Sequence, residues 1–218
     1  MNALGTAQTA GPRVQLFILS RDRRAYCREA ILSALSQDYQ PLEIIVSDNS
    51  VHEDVAEMVL NEFPAVHLVR RIPNLPALDH FNQLIAEVVA PLMVMFHDDD
   101  VLHPQYVSRM VGQLKHHPEA AAVGCNAYIM RDDQLTQAKI MGDFSGSHLL
   151  TTPMELLEPY FSLSLIDPAP FPGYMYRSER IRGLKLDYSQ GGKHSDVSFL
   201  CELLGRSPLL WTDECLFI

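Results

Sequence analysis

A short apolar run, Val14 to Leu19, opens the patterned part of the chain. From Ala25 to Gln37 the spacing turns helical, with Cys27, Ile31, Ala34 and Leu35 on one face. Leu42 to Val46 reads as a second strand, Asp54 to Phe63 as a helix stopped at Pro64, and Val66 to Val69 as a third strand. The turn-rich Arg71-Ile72-Pro73-Asn74-Leu75-Pro76 leads into a helix whose Leu78, Phe81, Ile85 and Val88 form an apolar stripe, closed by Pro91. Leu92 to Phe96 has no polar alternation, which predicts a central strand covered on both faces. Pro104 opens another helix with Val107, Met110, Val111 and Leu114 inward, and Ala120 to Cys125 starts the next strand.

Strands alternating with helices in this way predict an α/β fold, a Rossmann-like, mostly parallel sheet flanked by helices. After about Tyr128 the alternation breaks down. Between Arg131 and Glu179, Pro153, Pro159, Pro168, Pro170 and Pro172 punctuate a mixed segment around a short helix, Met154 to Phe161, and this stretch is expected to build a lid or wall. The rings of Phe171, Tyr174 and Tyr176 fit two roles equally, stacking on a ligand or covering the sheet. Gly191-Gly192 precedes a helix from Asp196 to Leu204, and Leu209-Leu210-Trp211 begins a last strand.

Composition narrows the class. The 218 residues can bury one sizeable core, and 47% hydrophobic against 20% charged residues excludes a disordered chain. The expected organisation is a flexible start over residues 1–12 and a single domain over 13–218. Asp and Glu number 27 against 17 Lys and Arg, a net charge of -10, the wrong sign for broad binding of nucleic acid or anionic lipid. A polyanionic ligand must therefore be held locally. The longest apolar run, Val88 to Phe96, is broken by Pro91 and falls short of the roughly 20 residues of a membrane-spanning helix. The first residues lack the basic start and apolar stretch of a secretory signal, so a cytoplasmic location is expected. Cys27, Cys125, Cys201 and Cys215 form no Cys-x-x-Cys pair and read as buried thiols.

In open α/β sheets ligands bind beyond the carboxyl ends of the strands. Here those ends carry Ser20-Arg21-Asp22-Arg23, Asp48-Asn49-Ser50 and Asp98-Asp99-Asp100. No glycine-rich turn follows the first strand, so neither a dinucleotide fingerprint nor a P-loop is present, and phosphate must be met by side chains or a metal. Three adjacent carboxylates repel one another unless a cation compensates, and a hard divalent ion, Mn²⁺ or Mg²⁺, suits them. Capping of the helix near Pro104 is the competing use of the same acids. Arg70-Arg71 fits either a diphosphate or a solvated strand end, and His97 is a single imidazole without a partner at ligand spacing.

From Val14 to Leu204 the chain resembles a family 2 glycosyltransferase with the GT-A fold. Ser20, Asp22 and Arg23 stand in the family's Thr-x-Asn-Arg-like turn, and Ser47-Asp48-Asn49-Ser50 in its Asp-Asp-Asn-Ser element, with one acid missing. Asn74 and Asn82 match a turn and the helix after it, although Pro76 replaces a glycine and Phe81 an arginine. Phe96 to Pro104 resembles the Asp-x-Asp motif, with His97 where its first Asp often stands. The resemblance implies nucleotide-sugar contacts from Ser20, Asp22, Arg23, Asp48, Asn74, Asn82, Asp98 and Asp99, and metal ligation by Asp98, Asp99 and Asp100. Gly191 to Asp196 resembles the turn that carries the catalytic base, a role that would fall to Asp196, with capping of its own helix as a compatible second use.

The resemblance implies an inverting, metal-dependent transferase. It would move a sugar from a UDP-sugar to a hydroxyl of a saccharide or glycolipid acceptor, in surface polysaccharide or glycolipid assembly. Residues 13–127 would form the nucleotide-sugar half and 128–218 the acceptor half. Peripheral contact with the inner membrane face and a homodimer are compatible partners. The alternatives are a GT-A-like domain that binds a nucleotide or protein without turnover, and a nucleotidyltransferase, against which the missing glycine-rich loop counts.

Overall fold

The computed structural model describes residues 11–131, 134–161 and 167–218. The strands are β1 (Val14–Ser20), β2 (Leu42–Asp48), β3 (His67–Arg70), β4 (Leu92–His97), β5 (Ala122–Arg131), β6 (Gln134–Lys139), β7 (Ser147–Leu150), β8 (Tyr174–Arg177) and β9 (Leu209–Phe217). The helices are α1 (Arg24–Leu35), α2 (Asp54–Glu62), α3 (Ala77–Glu87), α4 (Tyr106–His116), α5 (Pro153–Phe161), the single turn α6 (Ser178–Ile181) and α7 (Ser195–Leu204). Helix α4 starts two residues after Pro104, which sits in the preceding turn.

The sheet runs β3-β2-β1-β4-β8-β5-β9-β7, with β6 paired to β5. It is parallel across β3, β2, β1 and β4, as the alternation predicts. Beyond β4 it is mixed: β8 lies antiparallel between β4 and β5, and β9 returns parallel to β5. Strand β8 comes from the proline-rich segment read as a wall. Its four residues are too short and too aromatic to show a period, and pairing of Met93 with Tyr176 and Gly124 with Tyr174 makes them a strand. Tyr174 and Tyr176 are fully buried and so cover the sheet, whereas Phe171 faces a cavity.

All seven residues of β1 and the first five of β4 are buried. Side chains alternate across the sheet. Leu16, Ile18, Val94 and Phe96 pack with Cys27, Ile31, Val59 and Met110 on one face, and Phe17, Met93 and Met95 pack with Leu84, Phe199 and Leu203 on the other. Each fully buried side chain of this size contributes about 1.5–3 kcal/mol, which holds the strand ends rigidly where the polar residues emerge. Cys27 and Cys125 are buried free thiols, but Cys201 and Cys215 are only half-buried. They lie late in α7 and β9, toward the rim of the core. No helix among the described residues is long and apolar enough to cross a membrane.

Candidate active site

The strand order reverses between β1 and β4, which opens a crevice at the carboxyl ends of β1, β2 and β4. Ser20 is buried there, beside the Asp98 carboxyl. Asp22, at φ 54, accepts the Val51 N–H at 2.9 Å and the His52 N–H at 3.2 Å, while its own N–H donates to Ser50 Oγ at 2.8 Å. This left-handed conformation suits Asp, and it staples the loop after β1 to the loop after β2.

Several residues expected at the ligand also hydrogen-bond within the protein. Asp48 is fully buried: it accepts the Ser50 N–H at 2.9 Å and pairs with Arg70 Nε at 3.0 Å. The Asn74 amide donates to the carbonyls of Asn49 at 3.0 Å and Ser50 at 2.8 Å. Asn82 donates to the Leu186 carbonyl at 2.9 Å and accepts the Leu186 N–H at 2.8 Å. These three set the loops that rim the crevice. The reading of Arg70-Arg71 as a solvated or diphosphate-binding pair is corrected: Arg71 is buried, with two 2.7 Å bonds to Glu87.

The carboxylates after β4 diverge. Asp98 is buried and accepts a hydrogen bond from Arg23, whose guanidinium also donates to exposed Asp99 at 2.8 Å. Burial pushes the Asp98 carboxyl up, and the Ser20 hydroxyl and Arg23 pull it back. One oxygen of Asp98 has no partner. Burial, with Asp99 and Asp98 alongside, pushes the Asp100 carboxyl up to about 7.

His97, Asp99 and Asp100 each bring one ligand-capable atom within 4.8 Å of the others. Nε2 of His97 is buried without a partner, and burial lowers the ring's pKa. An orphaned imidazole nitrogen beside two carboxylates, one of them hard to ionise unaided, is a donor set that fits a divalent cation. The geometry therefore adds His97 to the expected acids and turns Asp98 toward Arg23.

His97 and Asp196 both line a cavity of about 590 Å³. Its walls include Phe81 and Phe171, with ring centroids 6.0 Å apart, together with Leu156, Tyr160 and Leu200. Asp196 is half-buried in the first turn of α7, and it has no hydrogen-bond partner among the described residues. Gly191, at φ 109, makes the turn before it, and Tyr160 Oη lies 2.9 Å from His194 Nδ1, tying α5 to that turn. A second cavity of about 250 Å³ is lined by Ser20, Arg21, Arg23, Asn49, His80 and His97.

Two groups carried little signal in the sequence. His80 sits on the buried face of α3, with Leu84 and Ile85, while Leu78 and Phe81 of the expected stripe turn to the cavity. Tyr160 belongs to a helix read only as part of a wall.

The model of the family described as Glycosyl transferase family 2 matches residues 16–182. No curated protein matches the sequence. Among solved structures, TarS 1-349 from S. aureus is similar at a TM-score of 0.70 and 12% identity, over 94% of this chain and 59% of that one. The same fragment in complex with UDP-GlcNAc gives 0.70 at 13% identity, over 94% and 57%. The mannosyltransferase PcManGT from Pyrobaculum calidifontis, in complex with GDP-Man and Mn²⁺, gives 0.63 at 16% identity, over 95% and 56%. At such identities the likeness is one of fold, and this chain spans less than two thirds of the length of each.

Proposed function

This chain belongs to glycosyl transferase family 2, and on that premise we propose that it transfers a sugar from a nucleotide-sugar to a hydroxyl acceptor with inversion, Asp196 being the base. The observation that carries the reading is the placement of Asp196 on the same cavity as His97, the member of the metal-type cluster that reaches it. The acceptor hydroxyl would give its proton to Asp196 as its oxygen attacks the anomeric carbon. The bond from that carbon to the phosphate oxygen breaks on the opposite face, and the nucleoside diphosphate leaves with the electron pair. A divalent ion, Mn²⁺ or Mg²⁺, held by Asp99, Asp100 and a ring nitrogen of His97, would offset the charge on the departing diphosphate.

Ser20, Arg21 and Arg23 line the smaller cavity and are assigned to the nucleotide. Asp22, Asp48 and Asn74 hold the loops around it through bonds to backbone groups, and Asn82 holds the Leu186 loop that lines the larger cavity. Asp98 orients Arg23. The neighbours' ligands, UDP-GlcNAc and GDP-Man, support a nucleoside diphosphate donor, with a UDP-sugar the first to try. The apolar wall of Leu156, Phe171 and Leu200 supports an acceptor that is a saccharide or glycolipid, as in surface glycan assembly at a membrane's inner face.

The test is Asp196→Asn. Transfer from the accepted donor should fall about 10²- to 10⁴-fold while UDP binding with Mn²⁺ stays within about twofold. Undiminished transfer refutes the assignment of the base. A wild-type chain that binds UDP yet transfers from no donor favours the binding-only reading.

A further inference from the structure

Around His97 and Asp196 the 590 Å³ cavity is walled mostly by side chains that cannot hydrogen-bond. Leu78 and Phe81 of α3, Leu156 of α5, Val197 and Leu200 of α7, and Ile140 converge on it. Leu200 stands one turn beyond Asp196, on the same face of α7. A further wall is the segment Asp167-Pro168-Ala169-Pro170-Phe171-Pro172, whose three prolines bring no N–H to the cavity.

The polar side chains are placed or employed elsewhere. Tyr160, Asp167 and Lys193 are exposed and stand at the mouth, where Tyr160 Oη lies 2.9 Å from His194 Nδ1. Asp196 and His97 are assigned to the attacking hydroxyl and the ion. Nor do the rings offer a platform for a sugar face. Phe171 is 9% exposed, and Phe81 and Phe199 meet it edge-on, with centroids 6.0 and 6.1 Å away and interplanar angles of 67° and 84°. A free saccharide in this space would leave hydroxyls without partners and lose affinity, whereas an alkyl or aryl body gains affinity from the same wall. The apolar surface continues past the mouth: Phe161, 78% exposed, has its ring 5.8 Å from that of Tyr160.

We infer that the acceptor is an amphiphile, whose reacting hydroxyl meets Asp196 while an alkyl or aryl body beside that hydroxyl fills the apolar cavity. Its remaining polar groups face the mouth. Of the saccharide and glycolipid classes this selects the glycolipid, with Leu78, Phe81 and Leu200 as specificity residues. The inference rests on the transferase reading, which makes Asp196 the base and gives this cavity to the acceptor.

The experiment is an NMR titration of octyl β-glucoside, below its micelle concentration, and of methyl β-glucoside into the chain loaded with Mn²⁺ and whichever of UDP and GDP binds. The variants are Phe81→Gln and Leu78→Gln, both half-buried on α3 where the fold tolerates a polar end, and Leu60→Ser, an exposed position of α2 outside the cavity. The wild type and Leu60→Ser should bind the octyl glycoside at least about tenfold more tightly than the methyl one. Phe81→Gln and Leu78→Gln should each cut that ratio by about three- to tenfold. An octyl glycoside that binds no better than the methyl one, or a preference that survives both cavity variants, overturns the inference and leaves the transferase reading intact. The loading step tests that reading separately. If neither UDP nor GDP binds, the transferase reading falls, and the acceptor role of the cavity falls with it.

Discussion

Acidification from pH 8 to pH 5 should cost the folded chain about 2 kcal/mol at His80 alone, and His80→Gln should abolish that part of the loss. In the unfolded chain the imidazole titrates near 6.5, whereas in the fold burial and the charge of Arg71 lower it to about 4. Between those values the unfolded chain holds a proton that the folded chain refuses. The stabilisation is therefore complete above 6.5, falls as the pH drops through the window, and stops falling below 4. At 1.36 kcal/mol per pH unit the whole window spans about 3 kcal/mol, and at pH 5 the two titration curves leave about 2 kcal/mol of it lost. The assay is urea unfolding of both chains at pH 8, 6 and 5, taking the difference in stability at each pH so that the carboxylates common to both cancel. The Ser47 hydroxyl, 2.7 Å from the His80 ring, keeps a partner in Gln, which can donate or accept. The advantage of the wild type over the variant should shrink by about 2 kcal/mol between pH 8 and pH 5. A difference that stays constant would show that the folded imidazole titrates like an exposed one, which refutes the buried, neutral ring.

Arg23→Gln removes the guanidinium from Asp98 and Asp99, so the affinity of the nucleotide-free chain for Mn²⁺ should rise about two- to fivefold by spin-resonance titration. An unchanged affinity would show that the arginine does not compete for these acids. Gly191→Ala puts a Cβ 2.8 Å from the His194 carbonyl oxygen at φ 109, a strain of about 1–3 kcal/mol, and the melting temperature should fall by roughly 2–10 °C. An unshifted melt contradicts that turn geometry. Asn82→Ala breaks both bonds to Leu186, and hydrogen exchange at the Leu186 amide should accelerate about tenfold or more. Unchanged exchange would mean that the asparagine does not hold the loop.

The legible part of the molecule is the part whose cause is local. β1, β2 and β4 are apolar runs ended abruptly by Ser20, Asp48 and His97-Asp98, and a run that short and that apolar is buried on both faces, which sends the polar residues after it to the sheet edge. That reasoning reached the three aspartates, whereas only the family resemblance points to Asp196. It could not reach β8, whose partners at residues 92–94 and 122–124 are remote in sequence, nor Arg71, which reads as a solvated cation until α3 brings Glu87 against it.

The sequence by itself determined the α/β alternation, the positions of the first strands along the chain and the acids at their ends, because residue period and turn chemistry act within a few residues of one another. The tertiary structure decided which polar side chain meets what: Asp98 turned to Arg23 across 75 positions, Asn82 to Leu186 across 104, Ser47 to His80 across 33. Such pairs carry no periodic signal. They exist because close packing of helices on a twisted sheet leaves each buried polar atom few places to find a partner.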